Sequence, residues 1–98
     1  MKELEKIIAY EFRDKKLLIQ ALTTPARRMT EPDTEDNQRL EFLGDAVLEL
    51  VVSEYIYKNN QKLPEGKLTS LRKNAVCENS LALIARSVSL GEYIHLGK

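Results

Sequence analysis

The chain contains one cysteine, one histidine and no tryptophan in 98 residues, and its formal net charge is zero. A single thiol, Cys77, forms no internal disulfide, and with only His95 beside it no zinc site of four protein ligands can be assembled. Any metal chemistry must therefore use carboxylates. Four glycines and three prolines are too few for a linker, a collagen or a low-complexity tract. No run of about 18 uninterrupted apolar residues exists, so no membrane span is expected. The stretch Lys2-Glu3-Leu4-Glu5-Lys6 carries acids where a secretory or organellar leader avoids them, and the expectation is a cytoplasmic protein. Zero net charge also excludes a bulk attraction to phosphate backbones.

What is present fits a folded protein. Hydrophobic residues make up 43% and charged residues 31%, ordinary values for a globular domain, and the length allows one domain at most, spanning residues 1–98. Charge is unevenly placed. Residues 1–30 hold seven bases and four acids, residues 31–54 one base and eight acids, and residues 55–98 seven bases and three acids, so an acidic centre lies between two basic flanks.

Apolar spacing predicts helices throughout, with no period-two pattern and no internal repeat. Leu4, Ile7, Ile8 and Phe12 recur at helical intervals, and Asp14 is placed to cap a second helix from Lys15 to about Thr23, stopped by Pro25. The polar stretch from Pro25 to Asp36 reads as a long exposed loop. A third helix is expected from a cap at Asn37 to about Lys58, with Leu40, Leu43, Val47, Leu50 and Val51 as its core face and a break at Asn59, Asn60 and Pro64. Two more follow. Gly66 to Val76 turns Leu68, Leu71 and Ala75 inward, and Glu78 to Leu90 turns Leu81, Ile84, Ala85 and Val88 inward, with Gly91 as the stop. Cys77 is expected to pack between these last two helices as a small apolar residue.

On the third helix Gln38, Glu41, Asp45 and Glu49 share an arc of ~80°, continued by Val52 and Ile56. Glu41 and Asp45 are four apart, so their carboxylates stack one turn above each other, a repulsion of a few tenths of a kcal/mol in water and more on partial burial. A divalent cation between them would remove it, and hard oxygen ligands suit Mg²⁺ or Mn²⁺. Spacing alone equally describes the solvated face of an amphipathic helix.

The segment Asn37-Gln38-Arg39-Leu40-Glu41-Phe42-Leu43-Gly44-Asp45-Ala46-Val47-Leu48 strongly resembles the signature of the ribonuclease III family of double-stranded-RNA endonucleases. The resemblance extends back through Phe12-Arg13-Asp14-Lys15-Lys16-Leu17-Leu18 and Ala21-Leu22-Thr23. It extends forward through Pro64-Glu65-Gly66-Lys67-Leu68-Thr69-Ser70-Leu71-Arg72 to Leu90-Gly91-Glu92, and so covers nearly the whole chain. It implies an all-α endonuclease-domain bundle working as a homodimer, with Mg²⁺ held by acids in a valley across the subunits. Glu41 and Asp45 would be catalytic and metal-binding, and Glu65 a further acid reaching the valley, unless it is only a helix-start charge favoured by the dipole. Phe42 resembles the aromatic that enters a socket in the partner subunit, the alternative being local packing. Lys67, Arg72 and Lys73 are candidate contacts to RNA phosphate, or a solvated face. The implied reaction is hydrolysis of double-stranded RNA to 5′-phosphate and 3′-hydroxyl ends, in RNA processing.

The sequence departs from the family pattern in several places. The family's second carboxylate pair belongs to a later helix, beyond Leu96-Gly97-Lys98, so the domain is expected to lack its C-terminal helices and to leave Val52 and Ile56 uncovered. Gln38 stands where the family usually has glutamate, and Thr24-Pro25-Ala26-Arg27 replaces a His-x-Ser-Tyr tetrad, with Arg27 and Arg28 available to phosphate instead. No double-stranded-RNA-binding domain is expected within these 98 residues. These departures leave open a catalytically silent helical module that binds RNA or dimerises.

Overall fold

Six helices and one 3₁₀ turn make up the regular secondary structure of the computed structural model, which describes residues 2–94. They are α1 (Lys2–Ile8), α2 (Lys15–Ala21), α3 (Pro25–Thr30), α4 (Gln38–Asn59), α5 (Glu65–Ala75), α6 (Glu78–Ser87) and the 3₁₀ turn Leu90–Glu92. No strand occurs among the described residues, as the apolar spacing predicts. None of the helices described is long and apolar enough to cross a membrane.

Helix α1 ends at Ile8, four residues before Phe12, which therefore does not join its face. Ala9 takes a left-handed conformation (φ 57°), its N–H donates to the Lys6 carbonyl at 3.2 Å, and Tyr10 N–H reaches back to the Glu5 carbonyl at 3.1 Å. This is a Schellman stop with alanine at the position glycine usually takes. Beyond it, Tyr10 and Phe12 stack edge to face at 4.9 Å. Buried Glu5 gathers the turn, accepting from Phe12 N–H at 2.6 Å and from Lys15 Nζ at 2.7 Å. The Lys15 hydrogen bond, aided by the Phe12 amide, holds its carboxyl below the usual carboxylate range.

Asp14 caps α2 as expected, its side chain accepting from Lys16 N–H at 3.0 Å. The loop expected after it is instead partly helical. Helix α2 already ends at Ala21, with Leu22 as its C-cap, so Pro25 is not its stop; as the first residue of α3 it lacks only an N–H that would have no helical acceptor, and the Thr24 hydroxyl accepts from Arg27 N–H. An Arg27–Glu31 ion pair of 2.8 Å closes the last turn.

The entry to α4 also differs from expectation. The Asn37 side chain does not cap the helix but donates to the Ala21 carbonyl at 3.1 Å, while its N–H donates to the Thr23 carbonyl at 2.9 Å, tying α4 to the end of α2. Asp36 serves the orphan amide instead, accepting from Gln38 N–H at 3.1 Å. At the far end, the Asn59 and Asn60 side chains take the carbonyls of Tyr55 and Ile56, and the helix breaks there as predicted. Helix α6 stops earlier than expected: Ser89, at φ 53°, supplies the left-handed residue assigned to Gly91, which has no positive φ. Cys77 is exposed rather than packed, because it is the N-cap residue of α6; hydrogen bonding from Ser80 lowers the pKa of its thiol.

Two apolar clusters hold the helices. Leu4, Leu18 and Leu22 form one, with Phe12, Leu90, Tyr93 and Ile94 packed around it, so the two ends of the chain meet. The other lies between α4 and α5, where Ile56 is the buried residue. The expected core face of α4 is not core: Leu43, Val47, Leu50 and Val51 are 53–69% exposed. Helix α5 covers the opposite side, which buries Ile56, about half a turn round from Val47, and half-buries Val52; those two were expected to be bare. Leu71, Leu81 and Ile84 are likewise 37–58% exposed. The radius of gyration, 16.0 Å, exceeds the ~12–13 Å of a compact chain this long, consistent with an elongated body of 50 × 26 × 23 Å.

Candidate functional site

Helix α4 is a 22-residue rod, ~33 Å long, that carries the acid series along one side. Glu41 and Asp45 are both exposed, and neither makes an ion pair or side-chain hydrogen bond among the described residues. The partial burial expected to sharpen their repulsion is absent. One turn further along, Glu49 is engaged: its Oε2 lies 3.4 Å from Arg72 Nε of α5, and Arg72 Nη1 donates to Ser53 Oγ at 3.1 Å.

The link between residues 60 and 64 is short, so α5 folds back antiparallel to α4. This puts the start of α5 beside the end of α4. Glu65 lines an open cavity of about 390 Å³ with Leu50, Ser53, Ile56, Leu68 and Arg72. Between Asp45 and the turns that flank Glu65, Ser53 to Tyr57, run eight to twelve residues of helix, or ~12–18 Å. Within one chain Glu65 is therefore not brought to Glu41 and Asp45, and among the described residues no three His, Cys, Asp or Glu side chains group as a metal site. The pair still suits a hard cation, since Mg²⁺ commonly takes one or two protein carboxylates and fills the remaining positions with water and substrate phosphate.

The three candidate phosphate contacts separate. Lys67 and Lys73 are exposed without ion pairs among the described residues, whereas Arg72 is held by Glu49 and Ser53. At ~100° per residue the three do not share a face of α5. Phe42 is 82% exposed and lies on the same side of α4 as Asp45 and Glu49, three and seven residues on, rather than on the bare strip of Leu43, Val47, Leu50 and Val51. Gln38 is exposed at the start of the helix, and Arg28 lies 3.7 Å from the Asp36 carboxylate. His95, Leu96, Gly97 and Lys98 lie outside the described residues.

Sequence reading missed the cluster of Glu49, Ser53 and Arg72. Its signal was available: Glu49 continues the four-residue series from Asp45, and a short link after a long helix returns the next helix antiparallel, placing a late α5 residue beside the middle of α4.

A family model described as Ribonuclease-III-like matches residues 14–98. The chain is 50% identical over 96 residues to Ribonuclease 3 of Caldanaerobacter subterraneus subsp. tengcongensis, covering 97% of this chain and 42% of that protein. It is 46% identical over 96 residues to Ribonuclease 3 of Clostridium perfringens, covering 98% of this chain and 40% of that protein. The chain thus spans about two fifths of these curated relatives. Among solved structures, two of the nuclease domain of ribonuclease III from Campylobacter jejuni superpose with a TM-score of 0.88, at 47% and 46% identity. They cover 98% and 99% of this chain and 64% and 63% of theirs, and one is described as flexible in a region involved in dimer formation.

Proposed function

Because the chain belongs to the ribonuclease III family, we propose that it forms part of an endoribonuclease domain that cuts double-stranded RNA with Mg²⁺ as a homodimer. The observation that carries this reading is the pair Glu41 and Asp45: exposed, one turn apart, without a cation partner among the described residues, and inside the family signature on α4. A like-charged pair left open in this way costs stability by itself and suits a divalent ion.

Glu41 and Asp45 would hold the Mg²⁺, with Mn²⁺ a plausible substitute. When bound there, the ion would supply Lewis-acid polarisation of the phosphoryl oxygen and charge stabilisation at the leaving 3′ oxygen. The side chains contribute negative charge on a rigid rod, fixing where the scissile phosphate sits relative to the helix. Because α4 is tied at its start to α2 through Asn37 and along its second half to α5 through Arg72, this position is set by more than one contact. Hydrolysis would leave 5′-phosphate and 3′-hydroxyl ends, and two sites in a dimer would cut both strands. The duplex would be read chiefly by its A-form shape and 2′-hydroxyls, with exposed Lys67 and Lys73 available to phosphate.

The test is cleavage of an end-labelled RNA duplex by the protein containing this domain. Glu41→Gln and Asp45→Asn are expected to abolish cleavage while helix content by circular dichroism stays unchanged, since both replacements keep shape and remove repulsion. Retained cleavage, or unfolding of either variant, would overturn the assignment.

A further inference from the structure

Glu41, Asp45 and Glu49 follow one another at successive turns of α4, yet they are not equivalent. The first two are open, and the third is paired with Arg72 at 3.4 Å. Arg72 also donates to Ser53, one turn beyond Glu49 and on the side facing α5, so its guanidinium is held at two points of α4. Nothing in the spacing of the three acids separates Asp45–Glu49 from Glu41–Asp45 as a carboxylate pair. What separates them is a residue from another helix.

We infer that Arg72 is a positioning residue that determines where the divalent cation binds: by engaging Glu49 it withdraws the third carboxylate from the acid series and confines the ion to the Glu41–Asp45 turn. This rests on the reading of Glu41 and Asp45 as the cation site. A third carboxylate left free would offer a competing pair ~5.4 Å along the helix, and an ion shared between the two positions would be misplaced for the scissile phosphate. The Arg72 charge adds to the effect by repelling a cation from the Glu49 turn. An arginine suits this role better than a lysine because its planar fork spans two acceptors, here Glu49 Oε2 and Ser53 Oγ.

The experiment is Mn²⁺ binding to the 98-residue chain by isothermal titration calorimetry, with electron paramagnetic resonance counting the bound ions. The unaltered chain is expected to bind one ion at this helix. Arg72→Gln should bind the ion roughly five- to tenfold more tightly, because a positive charge is lost and a negative one freed beside Asp45. Arg72→Gln combined with Glu49→Gln should return to the affinity of the unaltered chain, an outcome that a merely structural role for Arg72 would not produce. Glu49→Gln alone, which keeps α5 unaltered, should retain the single ion.

Arg72→Gln binding Mn²⁺ with unchanged affinity, or loss of the ion in Glu49→Gln, would overturn the inference. Asp45→Asn separates this from failure of the underlying reading. If Asp45→Asn loses the ion while Arg72→Gln behaves as the unaltered chain, Arg72 has no such role but the cation site stands. If Asp45→Asn binds as before, the cation site itself is wrong.

Discussion

Replacing Phe42 by alanine tests the proposed dimer with little disturbance to the single chain, because 82% of this residue is exposed and few of its contacts are internal. Full burial of a phenylalanine is worth about 1.5–3 kcal/mol, so covering the exposed part against a partner contributes about 1.2–2.5 kcal/mol. A two-fold dimer contains two copies of every interface residue, so the variant loses this twice, about 2.4–5 kcal/mol per dimer. At ~1.4 kcal/mol per decade, the dissociation constant should rise on the order of 10²- to 10³-fold. Sedimentation equilibrium across a concentration series measures it, with circular dichroism on the same samples to verify the helices. A dissociation constant within about threefold of the unaltered protein would refute the assignment of Phe42 to the interface. So would loss of helix in the monomer, which would place the residue's role inside the chain.

Other perturbations probe the fold. Leu18→Ala, at a side chain only 4% exposed in a cluster of three leucines, should destabilise by about 2–5 kcal/mol in urea denaturation; a loss below about 1 kcal/mol would mean the cluster is not a core. The lowered pKa of Glu5 makes its contribution fully present above the ~4.3 of an unfolded glutamate and lost as pH falls through the lower folded value. The stability difference between the unaltered chain and Glu5→Gln should therefore narrow as pH falls below that point, and a difference that is constant with pH would contradict the Lys15 and Phe12 contacts. Ala9→Gly relieves a left-handed alanine and should stabilise by about 0.5–1 kcal/mol, seen as a higher melting temperature; a lower one would argue against the helix stop at that residue.

Much of the site was legible because it is local. The Glu41–Asp45 spacing, the Asp14 cap and the break at Asn59 and Asn60 each depend on residues within a turn or two of each other, where helix geometry dictates proximity. Other features depended on a choice between alternatives that local pattern scores equally. Pro25 reads as a helix stop but stands as the first residue of α3, where the Thr24 side chain caps the turn. Asp36 and Asn37 are both competent caps, and the choice fell to Asp36 because the Asn37 side chain had a carbonyl of α2 to satisfy. The apolar strips of α4 are of similar hydrophobicity, and which one is covered depends on where α5 returns. Periodicity locates a buried face only once the neighbour's position is known, so Leu43, Val47, Leu50 and Val51 were assigned to the interior although they face outward in this chain.

The meeting of Leu4, Leu18 and Leu22 with Leu90, Tyr93 and Ile94 bears on how the molecule assembles. Closing a loop that contains almost every residue is entropically more demanding than folding α5 back on α4 across a five-residue link, and the demand grows with the logarithm of the separation. The α4–α5 hairpin is therefore expected to form early and the cluster joining α1 and α2 to Leu90, Tyr93 and Ile94 last, as a clasp. In a kinetic mutational series Leu68→Ala should slow refolding, whereas Leu4→Ala should chiefly accelerate unfolding, and the reverse pattern would mean that the clasp nucleates the fold.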